Sequence, residues 1–494
     1  MGSRYYCLTE RHLNLSTSVS STTPKSTPPD PSTRVGVVRL VRRLHFYAGV
    51  LIAPFLLIAA VTGALYALAP TAEQAVYRHQ LHSDSPGTAK SIAEQVRTAQ
   101  DFRPDLKLTA VQPAANAGDT TRVLFDDPAL GDSERLAVFI DPVTLELRGE
   151  LVSYGSSAAL PLRTWIDHLH RDLHLGEPGR LYSELAASWL WLVALGGIIL
   201  WAVTVRQRRR ATGTGSMLRG LPNSRGRATT INKHGVIGTW VLVVLLFLSA
   251  TGLTWSTYAG EHVSELRSAL SWTTPSVDAS LSDTPSAPAG EHADHGAAPA
   301  SGAPADSPVG DSPVGDSPVA SIDGAVAIAK ANGVDGAVEV KIPSDSKTAY
   351  VVSQRRVPWQ TSSSSIAVDP ARDAVVDISR FADWPLAAKL SAWGISMHMG
   401  ILFGWINQLA LVAAMVALIS LIVLGYRSWW RRRTSSTPVG APPARGALRE
   451  LPLPVAVGVL VVAAAVGWFI PLLGWPLLAF LIVDTIIGTV RNPA

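Results

Sequence analysis

Two stretches, RRLHFYAGVLIAPFLLIAAVTGALYAL (residues 42–68) and NKHGVIGTWVLVVLLFLSATGLTW (residues 232–255), carry the same punctuation. His45 is followed by Gly49 and by the pair Thr62-Gly63, and His234 is followed at the same intervals by Gly238 and Thr251-Gly252, 189 positions further on. A second offset, 228, links Asp141-Pro142 with Asp369-Pro370, His170 with His398, and Trp201 with Trp429. Self-similarity at fixed offsets sets architecture before any element is assigned. The chain therefore reads as a parallel duplication of one unit, helix, α+β module, helix, with a longer insert in its second copy.

The composition around these stretches is that of a multi-pass α-helical membrane protein. Only 16% of the 494 residues are charged, against roughly 25% in soluble proteins, and mean hydropathy is positive. Phe46–Ala72, Leu185–Val205, Gly235–Gly260 and Leu451–Val483 carry no charged residue, and Leu390–Tyr426 carries only His398. Each reaches the ~20 residues that cross a bilayer. The single cysteine, Cys7, excludes an intrachain disulfide, a Cys-rich metal site and C-x-x-C-H haem attachment. The net charge of +4 comes with arginines massed beside apolar runs and with no RNA- or DNA-reading motif, so it reads as topology and not as nucleic-acid binding.

Residues 1–34, rich in Ser, Thr and Pro, read as a disordered cytoplasmic tail. The first crossing spans 40–69, uncleaved because its apolar run is too long for a signal peptide and no small-residue cleavage site follows. Residues 70–165 form a first extracytoplasmic module, with a helix at 91–100 and strands at 121–127, 135–142 and 143–153. A His-containing segment and second crossing span 166–205, a loop 206–233, and the third crossing 234–259. The Pro/Ala/Asp-rich stretch 274–320 is a flexible linker, and its His292 and His295 read as solvated. A second module at 321–384 repeats the first, with a helix at 321–333 and strands at 348–356, 364–370 and 374–381. A His-containing segment and fourth crossing (390–427) and a loop (428–450) precede a C-terminal hydrophobic hairpin, 451–490, broken at Pro471 and Gly474. Asp484, in that hairpin, reads as structural.

Basic clusters fix orientation. Arg39, Arg42 and Arg43 precede the first crossing, Arg206, Arg208, Arg209 and Arg210 follow the second, Arg225, Arg227 and Lys233 precede the third, and Arg427, Arg431, Arg432 and Arg433 follow the fourth. Four crossings with both modules outside put every cluster on the cytoplasmic side.

Helices one and three then run the same way, and equivalent residues lie at equal depth across a pseudo-twofold axis. His45 faces His234 near the cytoplasmic surface, and His170 faces His398 near the outer one. Imidazoles opposed across a bundle suit axial ligation of a haem iron. Gly49 and Gly238, one turn on, leave room for a flat macrocycle, and the Thr-Gly pairs let helices approach. The tryptophans cluster near helix ends, as in an aromatic belt. His168 and His174 crowd His170, but their counterparts are Ser396 and Leu402, so only His170 has a symmetry partner and His174 stands as a substitute ligand.

Taken as a set, RRLHFYAGV…TG, HLHRDLHLG, NKHGVIG…TG and MHMG…GYRSWWRRR with two DP-bearing modules resemble the PepSY-associated transmembrane family, which includes iron-regulated membrane proteins and ferric-siderophore reductases. The likeness covers roughly 36–434. It implies PepSY domains outside a bacterial inner membrane, two haems b held by His45, His234, His170 and His398, and electrons passed from a quinol or cytoplasmic reductase to ferric siderophore or another outer acceptor. No Gly-rich dinucleotide fingerprint is present, so the electrons come from another component. Two other readings stand beside this one: a non-enzymatic membrane-anchored binding module, and a haem, iron or copper transporter.

Overall fold

The computed structural model describes residues 31–281, 319, 321–433, 442–443 and 451–491. Residues 1–30 of the expected tail with Cys7, most of the linker expected at 274–320 with His292 and His295, and the side chain of Asp484 lie outside these, while residues 31–34, read as tail, begin a helix.

The chain opens with helices α1 (Pro31–Leu51) and α2 (Ala53–Val76), where the sequence predicts one unbroken crossing. The break follows from Pro54. Proline has no N–H and its ring displaces the carbonyl four residues back, and that carbonyl, Val50 O, instead accepts the Tyr426 hydroxyl at 2.8 Å. A short turn of helix α3 (Arg78–Leu81) and helix α4 (Ile92–Phe102) lead to strands β1 (Lys107–Gln112), β2 (Thr121–Asp126), β3 (Glu134–Ile140) and β4 (Leu147–Tyr154). Helices α5 (Pro161–Arg171), α6 (Glu177–Thr212), α7 (Arg227–Leu253) and α8 (Tyr258–Ala269) follow. The order then recurs: α9 (Ile322–Ala331), β5 (Val338–Lys341), β6 (Tyr350–Gln354), β7 (Ser365–Asp369), β8 (Ala374–Ser379), α10 (Leu386–His398) and α11 (Trp405–Trp430). Helices α12 (Leu453–Phe469) and α13 (Pro471–Arg491) close the chain.

Among the described residues four helices, α2, α6, α7 and α11, are long and apolar enough to cross a bilayer, and the protein is a membrane protein. They pack α6 on α7, α7 on α11 and α11 on α2, with α1 against α6. Glycine is required where α7 crosses α6, since a Cβ on Gly235 would lie 2.3 Å from the Trp201 ring. The His-containing segment and the fourth crossing are separate helices, because Gly400 (φ +74°) and Gly404 (φ +55°) turn the chain between α10 and α11. Leu173, His174 and Gly176, all at positive φ, do the same between α5 and α6. His170 and His398 therefore sit at the ends of short helices beside the long spans. The C-terminal pair is anchored by Trp189 Nε1 donating to Leu472 O (3.1 Å) and by His262 Nδ1 donating to Phe469 O (2.9 Å).

The two expected α+β modules are not separate. Their strands form one eight-stranded antiparallel sheet in the order β4-β3-β2-β1-β5-β6-β7-β8. Alternation places Val111, Val123, Val138, Val340, Val352 and Ile366 on one face, fully buried against Val96 and Ala99 of α4 and Ile322 and Ala325 of α9. Each such side chain contributes roughly 1.5–3 kcal/mol. The join is β1 against β5, pairing Ala110 with Lys341 and Val111 with Val340. Each strand would otherwise be an open edge, which sheets avoid. Across the join, Asp323 of α9 accepts from the Ile92 and Ala93 amides of α4 at 2.8 and 3.0 Å. Arg135 pairs with Glu339 at 3.1 Å, and Gln112 donates to the same carboxylate. Burial pushes the Glu339 pKa up, but Arg135 and Gln112 outweigh it and hold the group below its usual value.

Candidate functional site

At the arginine-rich end of the bundle, His45 of α1 and His234 of α7 face each other with ring centroids 6.2 Å apart and planes at 80°. Each Nδ1 reaches a backbone carbonyl of the neighbouring span, Val193 O at 2.9 Å for His45 and Leu421 O at 3.0 Å for His234. A carbonyl only accepts, so Nδ1 carries the proton in both rings and each Nε2 keeps its lone pair. A hydrogen bond at one ring nitrogen fixes the tautomer and orientation of metal-binding imidazoles in this way. A metal midway between the rings, with bonds of about 2 Å and about 1.1 Å more from each nitrogen to its ring centre, requires a centroid separation of roughly 6 Å. The observed spacing meets that requirement.

Small residues make the space. A Cβ on Gly197 would come within 3.0 Å of His45 Cε1, and one on Gly49 would meet nothing within 4 Å. The surrounding cavity, about 790 Å³, is lined by Gly49, Gly197, Gly238 and Gly425 beside the two histidines.

At the sheet end, His170 and His398 line a second cavity of about 210 Å³. Their Nδ1 atoms meet Thr62 Oγ1 at 2.9 Å and Thr251 Oγ1 at 2.6 Å. Each threonine hydroxyl already donates to the carbonyl four residues back, Ile58 O and Phe247 O. The histidines are therefore the donors, and their Nε2 atoms are again left as acceptors. Tyr66 stacks on His170 at 13° and Trp255 meets His398 edge-on. A Cβ on Gly63 would lie 3.1 Å from His170 Cε1.

His174 does not line this cavity. Its ring lies against Trp165 and His168, and its amide donates to Asp172 Oδ1. His168 is taken up by Asp172, Arg171 and Tyr154.

The contacts recur at the offsets read from the sequence. His45 with Val193 and His234 with Leu421 are displaced by 189 and 228, and so are Thr62 with His170 and Thr251 with His398. Thr62 and Thr251 read from sequence as close-packing residues, and here they orient imidazoles. Gly197 and Gly425, also 228 apart, went unread although the repeat marks them. Two buried carboxylates were likewise missed: Glu73 accepts from Leu160 N, and Glu184 caps α8 by accepting from Tyr258 N and Ala259 N.

Among the described residues no three His, Cys, Asp or Glu side chains converge as a metal cage. Each facing pair of imidazoles would give a metal two nitrogens, and its other ligands would have to come from elsewhere. That donor set suits a metal carried in a planar macrocycle better than a bare ion, which takes three or four protein ligands.

Fold and site together define a helical membrane protein with an extramembrane sheet and two imidazole pairs at opposite ends of its bundle. The chain belongs to the PepSY-associated TM region family, which it matches over residues 42–432. A comparison with curated proteins finds no match.

Proposed function

We propose that this protein is a b-type haem protein, built as a parallel duplication, that carries electrons across a bacterial inner membrane to an acceptor on the sheet side. The observation that carries the proposal is the His45–His234 pair, 6.2 Å apart with both Nδ1 atoms tied to carbonyls. One haem would be held by His45 and His234 and a second by His170 and His398. Bound haem supplies reversible one-electron exchange at its iron.

The chain's own residues orient and insulate. Val193 O and Leu421 O on one side, and Thr62 and Thr251 on the other, hold the Nδ1 protons, which leaves each Nε2 as the ligating atom and raises its basicity. On α7, His234 and Thr251 are 17 residues apart, or about 25 Å of helix. The two pairs thus stand near opposite faces of a ~30 Å hydrocarbon core. Positive-inside bias puts the arginine end in the cytoplasm, where a quinol or a cytoplasmic reductase is the donor. The acceptor is ferric iron, chiefly as ferric siderophore. Reduction loosens it because siderophore oxygens prefer the harder Fe(III).

The test is the visible spectrum of the detergent-purified protein, oxidised and dithionite-reduced, beside the double variants His45→Ala/His234→Ala and His170→Ala/His398→Ala. A Soret band with sharp α and β bands on reduction, partly lost in each variant, is expected. Colourless wild type from haem-replete cells refutes the proposal and turns attention to the sheet as a binding device.

A further inference from the structure

The two cavities meet at a wall one side chain thick. Three residues line both of them, Leu56 of α2, Leu190 of α6 and Leu418 of α11, and all three are leucines. Charged side chains line each cavity, Arg42 and Arg227 in the one and Asp167, Arg171 and Glu184 in the other, but none lines both. Leu245 of α7 lines the arginine-end cavity beside the three, and the four leucines are buried in one apolar cluster.

The repeat that pairs the histidines also pairs these leucines. Leu56 and Leu245 are 189 positions apart, and Leu190 and Leu418 are 228 apart. Leu190 stands three residues before Val193 and Leu418 three before Leu421, so each lies about one turn from the carbonyl that holds His45 or His234. On α7, Leu245 lies 11 residues past His234 and six before Thr251, about 16 and 9 Å of helix. The layer is therefore between the two imidazole pairs in depth. Core packing asks for apolar residues of fitting volume. It does not ask for the same residue at both members of both repeat pairs, at the one level where two cavities with charged linings come together.

Such a layer treats the two kinds of charge differently. A proton or a metal ion needs a chain of water or polar groups, and an apolar constriction stays dry and withholds one. An ion entering it also gives up its hydration. An electron tunnels through packed aliphatic atoms with no such chain. We propose that Leu56, Leu190, Leu245 and Leu418 form a proton seal between the two imidazole pairs, so that charge crosses the bilayer there as electrons alone. The inference deepens the electron-carrier reading above, on which the passage of electrons rests, and the seal has its own test.

Full-length protein is reconstituted in phosphatidylethanolamine–phosphatidylglycerol liposomes that hold a pH-sensitive dye, and a potassium gradient with valinomycin sets the inside negative. Wild type is expected to admit protons no faster than protein-free liposomes do. Leu190→Ala/Leu418→Ala, which opens the wall, should admit them at least about tenfold faster, and so should the other repeat pair, Leu56→Ala/Leu245→Ala. Leu411→Ala/Met415→Ala removes similar bulk from residues that line only the sheet-end cavity, and it should stay tight. Folding is checked by elution of each variant at the wild-type volume. The wild-type measurement needs no substitution, so a misfolded variant does not spoil it. Fast leak in wild type, leak at the wild-type rate in a folded alanine pair at the wall, or equal leak in the Leu411/Met415 control overturns the proposal. In parallel, electrons are followed from external dithionite to ferricyanide trapped inside. No flow through wild type beyond that of protein-free liposomes overturns the electron-carrier reading and leaves the seal to be judged by the leak alone.

Discussion

Replacing Gly197 by Ala, set against the same change at Gly425, measures how closely a helix must approach its histidine. A Cβ at 197 would lie 3.0 Å from His45 Cε1 and 3.6 Å from its Nδ1, whereas one at 425 would meet His234 Cε1 at 3.8 Å, an ordinary contact. Relief at 197 requires the His45 ring to tilt away from its 2.9 Å bond to Val193 O. An imidazole driven off its rotamer costs about 0.5–1.5 kcal/mol, and the strained hydrogen bond loses part of about 1 kcal/mol. A site penalty of about 2 kcal/mol corresponds to roughly thirtyfold in ligand affinity. Backbone propensity acts oppositely, since Ala gains up to about 1 kcal/mol over Gly in a helix interior. Gly197→Ala should therefore weaken haem binding about ten- to thirtyfold without losing fold stability, and Gly425→Ala should bind normally and melt higher. The assay pairs haem titration of the haem-free protein with thermal unfolding followed by circular dichroism. Full affinity in Gly197→Ala, or equal loss at both positions, would refute the steric argument.

Other residues give sharp expectations. Thr251→Val removes the acceptor for His398 Nδ1 at 2.6 Å; loss of about 1 kcal/mol of ligand polarisation should raise one midpoint potential by up to about 40 mV, and a fall in spectroelectrochemical titration contradicts the assigned tautomer. Asp141 is buried, which raises its pKa, yet Ser83, Ser85 and the amides of Val143 and Thr144 outweigh burial and hold it far below the usual carboxylate range. A depressed folded-state pKa stabilises above the unfolded value of about 3.9 and is lost as pH falls toward the folded one. Asp141→Asn should thus flatten the acid limb below about pH 4 in sheet unfolding, and an unchanged limb removes Asp141 as its source. Asp323→Ala removes the acceptor of the Ile92 and Ala93 amides across the module join, leaves the Ser91–Glu94 capping box of α4 in place, and should cost about 1 kcal/mol. Faster hydrogen exchange at the Ile92 and Ala93 amides is the readout, and unchanged exchange means the two bonds contribute nothing.

The strands that sequence reading missed are instructive. Six of the eight were read from alternation, a hairpin return and the repeated order, and the two that were not, β1 and β5, are the two that join the modules. β5 has only four residues, Val338–Lys341, and β1 follows Pro104 in a stretch with Lys107 and Thr109 on it, too short or too mixed to stand out. An edge is legible only through its partner, and here the partner is more than 200 residues away.

The sequence by itself determined what is local or periodic. Uncharged runs of about 20 residues have no soluble home, so the spans followed from composition, and fixed offsets paired His45 with His234 and His170 with His398. The tertiary structure decided what depends on the meeting of distant chain segments. It decided that the modules share one sheet, that His170 and not His174 lines the cavity with His398, and that Thr62 and Thr251 hold imidazoles. Ring orientation shows the reason: His45 is aimed by a carbonyl 148 positions away, and His234 by one 187 away. Any residue supplies a carbonyl, so its identity leaves no mark in the sequence, and only the packed bundle selects which one the ring meets.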